Sequence, residues 1–256
     1  MVGPILGCGM VVINLRLMLF ILLSSISGFV WNDLMDVEED KLKQKVRNPI
    51  ATGRISPVLA YLLWGILTIC SVILLFGFNQ TVSLLGAVVL TVWCVYSWGP
   101  RLKNRPPLDL FAHGSWAMLY VLMGFGLCQP LTIRVVLIGT MVFCFGVVAN
   151  LLQEIRDIAA DGRTTVRELG SKRGATLTIL LMLVSACCYI LIVLEGFLPS
   201  ICVAFVPFIY FVLKPLYDFR DASTVIAQLR FRGFLIGGGM VIAYLVLTGG
   251  RVVMLV

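Results

Sequence analysis

The chain carries about eight apolar runs of membrane-spanning length, near residues 6–31, 57–78, 81–98, 109–128, 133–153, 174–194, 197–214 and 233–249. A helix crossing the hydrocarbon layer needs roughly 20 such residues. In lipid the backbone polar groups must be satisfied within the segment, so helices are the form these runs can take. The prediction is an all-α membrane protein, a bundle of about eight transmembrane helices around a central cavity. Composition agrees, since only 13% of the residues are charged where a soluble domain has about 25%. Residues 1–256 are expected to form one domain, with two four-helix halves at 1–128 and 129–256.

The punctuation fits helices. Ser56-Pro57 reads as an N-cap with proline at the first helical position, and Gly162 and Gly170 interrupt the polar stretch after the fifth run. Residues 1–30 lack the basic start and small-residue cleavage site of a signal peptide. The 8 cysteines lie in or beside apolar runs without a C-x-x-C pair, so they are expected to be packing residues. The single histidine, His113, cannot build a histidine-rich metal site.

Charge orients the runs. Of 20 Lys and Arg residues, 17 fall after the first, third, fifth and seventh runs, while the alternate connections "FNQT", "CQPLT" and "EGFLPS" have none. By the positive-inside rule the basic connections face the cytoplasm, with both chain termini on the other side. The net charge of +7 is accounted for by this orientation and an anionic ligand, and it requires no nucleic acid.

Two acidic stretches stand out against this background. The first run leads into "WNDLMDVEED", with 5 carboxylates in the 8 positions from Asp33 to Asp40, and the fifth ends in "NLLQEIRDIAAD", Asn150 to Asp161. A carboxylate beside hydrocarbon is costly and signals a partner or chemistry. Four spans separate the stretches, so both emerge on one membrane face. On a helix, Asn32, Asp36 and Asp40 share a face with Asp33 one step round, and Glu154, Asp157 and Asp161 line another. Glu38 and Glu39 fall off that face, where nearby lysines can pair with them. Opposed hard oxygen ligands with no soft ligand suit Mg²⁺, which keeps waters and shares its shell with phosphates. The adjacent basic residues point to a diphosphate. Two other readings are an acidic helix end pairing with the basic loop after it, and a divalent-cation transporter. The transporter reading would call for mid-span acids, and those regions are almost free of charge.

These stretches resemble the UbiA superfamily of intramembrane prenyltransferases. "NDLMDVEED" matches the family's N-D-x-x-D-x-x-x-D motif, and "EIRDIAAD" is similar to its second, an acidic residue followed by D-x-x-x-D. "RNPIATGRIS", "YSWGPRLKNRPPLD" and "GRTTVRELG" resemble supporting segments, in order, from about residue 10 to 175. "RNP" and "RPPLDLFAHG" resemble the lycopene-elongase-like branch. The family places one further helix ahead of the first motif, whereas Asn32 here follows a single apolar run. That departure bears on one wall of the cavity and not on the metal site.

The resemblance implies Mg²⁺-dependent transfer of an isoprenoid group from an allylic prenyl diphosphate to a lipophilic acceptor in the lipid bilayer. Asn32, Asp33, Asp36, Asp40, Glu154, Asp157 and Asp161 would hold the metal, with Asp33, Asp36, Asp157 and Asp161 central to catalysis. Lys41, Arg47, Arg101, Lys103 and Arg156 would bind the diphosphate, and Trp31, Tyr96 and Trp98 would face the cationic carbon. The alternative is a terpene cyclase of the same type, which ionises the same donor but lets the cation attack its own chain.

Overall fold

The computed structural model describes residues 11–43, 46–128, 130–157, 164–196 and 252–255, with side chains described in these ranges except at 11–13, 156–157 and 252–255. The expected spans near 197–214 and 233–249 lie outside the described residues. Among those described, six helices are long and apolar enough to cross a membrane. They are α1 (Leu15–Met35), α3 (Pro57–Leu75), α4 (Gln80–Ser97), α5 (Leu108–Gly126), α6 (Ile133–Asp157) and α8 (Ser171–Leu194). Two short helices, α2 (Val37–Leu42) and α7 (Thr165–Leu169), follow the two acidic stretches.

Local chemistry sets the helix starts. Asn14 caps α1 by accepting from the Leu17 amide at 2.8 Å. Helix therefore begins at Leu15 and not near residue 6 as hydropathy suggested, and Val11–Asn14 (β1) instead pairs in parallel with Val252–Leu255 (β2). Ser56 accepts from the Leu59 amide ahead of Pro57, as the sequence predicts. Asn79 caps α4 through the Val82 amide and donates to the Gly126 carbonyl at 2.8 Å, tying the start of α4 to the end of α5. Each cap satisfies an orphan amide that lipid cannot hydrate.

The spans pack in a chain of neighbours. α1 lies against α3 and α4, α4 against α5, α5 against α6, and α6 against α8. Phe20, Val82, Val89 and Met123 fill the core between α1, α4 and α5. Two arginines within the apolar runs, Arg16 and Arg134, find partners at the helix ends. Arg16 donates to the Gly77 carbonyl at 2.6 Å beyond the end of α3, and Arg134 pairs with Glu195 at 3.4 Å. Cys128, just past α5, is disulfide-bonded, which corrects the expectation that every cysteine is a packing residue. It sits in a connection without Lys or Arg.

The α5–α6 contact matters most for function, because α6 carries the second acidic stretch. It is a close approach of two backbones through small residues. A β-carbon on Gly146 would lie 2.8 Å from the His113 carbonyl oxygen and 3.0 Å from the Gly114 α-carbon. Neither can rotate aside as a side chain would. Gly146→Val is therefore expected to lower the thermal midpoint of the detergent-solubilised protein, at a cost of about 2 kcal/mol or more. Gly65→Ala, whose added methyl meets nothing within 4 Å, should leave it unchanged. Equal midpoints for the two variants would contradict this packing.

Candidate active site

Both acidic stretches open onto one cavity of about 270 Å³. The first stretch and its helix contribute Phe29, Asn32, Asp36, Glu39, Asp40 and Lys43, and α4 contributes Trp93 and Tyr96. Lys103 and Asn104 come from the following turn, Asp109, His113 and Trp116 from α5, and Asn150, Gln153 and Glu154 from α6. The spacings i, i+3, i+7 in Phe29–Asn32–Asp36 and i, i+4, i+7 in Asp109–His113–Trp116 each place three side chains on one helix face. The result is a charged end formed by the acidic stretch and Lys103, and an aromatic end formed by four rings.

Asp36 sits at the helix break between α1 and α2 and accepts from Lys103 Nζ and, at 3.2 Å, from Arg101. Asn32 Oδ1 accepts from Ser97 Oγ at 2.8 Å and from Lys103 at 3.2 Å. The turn that aims these cations is unusual. Gly99 has φ 65°, and Arg101 itself lies in the left-handed region at φ 48°, a conformation that costs a non-glycine residue energy and clusters at functional sites. The Lys103 side chain is only 10% exposed. Burial pushes its ammonium down from the ordinary lysine value, and the Asp36 carboxylate opposes that shift. Asp40 is buried and accepts from Asn48 Nδ2 at 2.9 Å, while the same amide group donates to the Asp33 carbonyl oxygen. Asn48, in "RNP", thus locks the first acidic stretch against the loop after it.

The second stretch is held differently. Asp109, 1% exposed, accepts from the Thr165 amide at 2.8 Å and Thr165 Oγ1 at 2.6 Å, as well as from the Leu110 amide at 2.8 Å. Glu154 accepts from Asn150 Nδ2 at 2.5 Å and from the Val166 amide at 3.0 Å. Two buried carboxylates from α5 and α6 therefore take the first amides of α7. This fixes where the chain returns to the cavity wall after Asp157.

The predicted residues divide accordingly. Asn32, Asp36, Asp40, Glu154, Lys103 and Tyr96 line the cavity, and Arg101 reaches it through Asp36. Asp33 is half-buried beside it. Lys41 pairs with Glu38 at 2.9 Å, and Arg47 is exposed; neither is among the lining residues. Trp31 stacks on Trp64 at 4.3 Å and donates to the Cys94 carbonyl, and Trp98 is 61% exposed, so both lie off the cavity. Glu39 corrects the helical-wheel assignment. It lines the cavity and pairs with Lys43 at 2.7 Å and Arg101 at 3.5 Å, because the break at Asp36 turns α2 relative to α1. The hydrogen bond from Lys43 holds the Glu39 carboxyl below the usual carboxylate range. The side chains of Arg156 and Asp157, and all of Asp161, lie outside the described residues.

Residues that the sequence reading passed over complete the aromatic end. Trp93 stacks on Trp116 with centroids 3.8 Å apart, Phe29 lies 5.4 Å from Trp93, and Tyr96 meets Trp116 edge-on at 5.0 Å. Gly28 makes room for Trp93, since a β-carbon there would overlap the indole. Tyr120, hydrogen-bonded to Ser24 and Ser25, accepts from Trp93 Nε1 at 3.4 Å. A polar stripe in an apolar helix, Asp109 with His113, was the signal available in the sequence for α5.

Among the described residues, no three His, Cys, Asp or Glu side chains converge to hold an ion by themselves. The cavity-facing oxygens of Asn32, Asp36, Asp40 and Gln153 are hard donors spread around its wall. Such a set fits an ion of the Mg²⁺ type whose shell is completed by phosphate and water.

An integral membrane bundle with a charged, aromatic-backed cavity between two acidic helix ends defines the class of protein. The chain belongs to the UbiA prenyltransferase family, whose family model matches residues 7–245. It is 32% identical to the 4-hydroxybenzoate octaprenyltransferase of Haemophilus ducreyi over 36% of this chain and 34% of that one. It is 29% identical to the decaprenyl-phosphate phosphoribosyltransferase of Mycolicibacterium smegmatis over 40% of this chain and 32% of that one. These matches span about a third of the curated relatives' length. The fold is shared with a UbiA homologue from Archaeoglobus fulgidus bound to DMAPP and Mg²⁺. The TM-score is 0.72 and the identity 19%, over 96% of this chain and 92% of that one. The same homologue bound to GPP and Mg²⁺ gives a TM-score of 0.70 and 20% identity over 92% of both chains.

Removing the α7 anchor should be costly. Asp109→Ala deletes three buried hydrogen bonds and is expected to destabilise by about 3 kcal/mol. At this chain length that is a fall of ~5–10 °C in thermal midpoint. Thr165→Val, which removes only the hydroxyl bond, should cost about 1 kcal/mol. A midpoint for Asp109→Ala at or above that of Thr165→Val would refute the anchoring role.

Proposed function

We propose that the protein transfers an isoprenoid group from an allylic prenyl diphosphate to a lipophilic acceptor within the bilayer. The observation that carries this reading is the meeting of both acidic stretches, Lys103 and four aromatic rings at one cavity. Its support from relatives is the family itself and the Archaeoglobus homologue that binds GPP or DMAPP with Mg²⁺.

In this reading Asn32, Asp33, Asp36, Asp40, Asp157 and Asp161 would hold Mg²⁺, with Glu154 bracing α7 against α6. The ion, when bound, supplies Lewis-acid polarisation of the diphosphate oxygens. Lys103 and Arg101 neutralise charge as the allylic carbon–oxygen bond breaks and the electron pair leaves with the diphosphate. Their present partner, Asp36, keeps both cations aimed into the site before a donor arrives. Tyr96, Trp116, Trp93 and Phe29 turn π faces and edges toward the adjoining space, where the cationic carbon is stabilised and water is excluded. The excess of Lys and Arg on the connections that share a face with the acidic stretches supports a cytoplasmic mouth.

Asp36→Ala and Asp157→Ala should each reduce diphosphate release by ~10²-fold or more, and Lys103→Ala should do so comparably. Arg134→Ala removes a surface pair at the opposite end of the bundle and should cost less than ~1 kcal/mol. The measurement is release of diphosphate from labelled dimethylallyl and geranyl diphosphates by purified protein with Mg²⁺, with and without a lipid acceptor. Equal, small effects across the four variants would reject the site. A cyclic hydrocarbon formed without acceptor would instead identify a cyclase.

A further inference from the structure

His113 lies between the charged and aromatic ends of the cavity, and neither ion binding nor diphosphate binding uses it. Its ring is held in one orientation. Nδ1 lies 3.2 Å from the carbonyl oxygen of Asp109, one helical turn earlier. A carbonyl only accepts, so Nδ1 carries the hydrogen, and in the neutral ring the lone pair is on Nε2. Among the described residues Nε2 has no hydrogen-bond partner. The side chain lines the cavity. Tyr96 meets the imidazole edge-on at 5.2 Å and Trp116 at 4.9 Å. Both rings fix its plane.

We propose that His113 Nε2 is the proton acceptor of the transfer reaction. The proposal rests on the transferase reading above. The donor's allylic carbon–oxygen bond breaks, and its electrons depart with the diphosphate. A new bond then forms between that carbon and a nucleophilic carbon or hydroxyl oxygen of the acceptor. The proton displaced from that atom, or from its neighbouring carbon, passes to Nε2. The other groups around the cavity suit this task less well. Lys43 and Lys103 are donors, Asp36 and Glu39 are held by cations, Asp40 accepts from Asn48, and the oxygens of Asp109 and Glu154 are committed to Leu110, Asn150 and the start of α7.

The test uses the full-length protein in detergent with Mg²⁺ and radiolabelled geranyl diphosphate. Membranes of the source cells supply the acceptor. His113→Gln keeps a hydrogen-bonding side chain but no basic nitrogen. It is expected to cut labelled lipid formation by ~10²-fold while diphosphate release continues. The label should then appear as prenyl alcohol, formed when water captures the cation. The KM for the donor should hold while kcat for transfer falls, and free imidazole should partly restore transfer in His113→Ala. Because His113 is the one histidine in the chain, carbethoxylation by diethylpyrocarbonate can be followed by mass. It should be blocked by geranyl thiolodiphosphate with Mg²⁺. Unchanged lipid formation in His113→Gln would overturn the proposal. So would joint loss of diphosphate release and transfer, which would assign His113 to ionisation or folding. No diphosphate release by the wild-type protein would instead overturn the transferase reading itself.

Discussion

A charge near hydrocarbon has to be matched, and that requirement organises this protein around its cavity. The carboxylates that line it are each satisfied by a group from another segment. Asp36 is met by the turn after α4, Asp40 by Asn48, and Asp109 and Glu154 by the start of α7. These pairings do more than neutralise. An unpaired buried carboxylate would cost several kcal/mol, so each pairing also specifies where a loop must lie. The loops on the acidic face are consequently positioned by the same side chains that form the site.

Two different anchoring chemistries result. The first stretch is held by cations and an asparagine side chain, interactions that a metal ion or a phosphate can replace. The second is held by carboxylates accepting backbone amides of α7, which no ligand needs to displace. The site therefore has one wall whose charges can be redistributed when substrate binds and one wall that stays put. The α5–α6 crossing supports the second wall from behind. Gly146 and Gly114 allow the backbones to touch, so the depth of α6 relative to His113 is set by backbone contact.

The aromatic end is built with similar redundancy. Trp93 is placed by the absence of a side chain at Gly28, by its stack on Trp116, and by its hydrogen bond to Tyr120. Phe20, Val89 and Met123 occupy the core beyond it. In the proposed reaction such a fixed aromatic surface would meet the cationic carbon without reorganising, which is the condition under which electrostatic stabilisation is most effective.

The spans and the common face of the acidic stretches were legible without coordinates, because length, apolar runs and loop charge are local properties that the bilayer reads directly. Asn32, Asp36 and Asp40 were recognisable by spacing along one helix. Other features depended on contacts between segments far apart in the chain. Lys41 and Lys103 are equally plausible in the sequence, yet only Lys103 enters the cavity, because the left-handed backbone at Arg101 turns it inward while Lys41 remains beside Glu38. Glu39 changed faces because the helix breaks at Asp36, and Trp31 gave way to Trp93 and Trp116 because stacking on Trp64 drew it aside. Helical periodicity says which residues share a face. It cannot say which face meets which, because that follows from how neighbouring backbones approach, and here from glycines whose effect exists only once two helices touch.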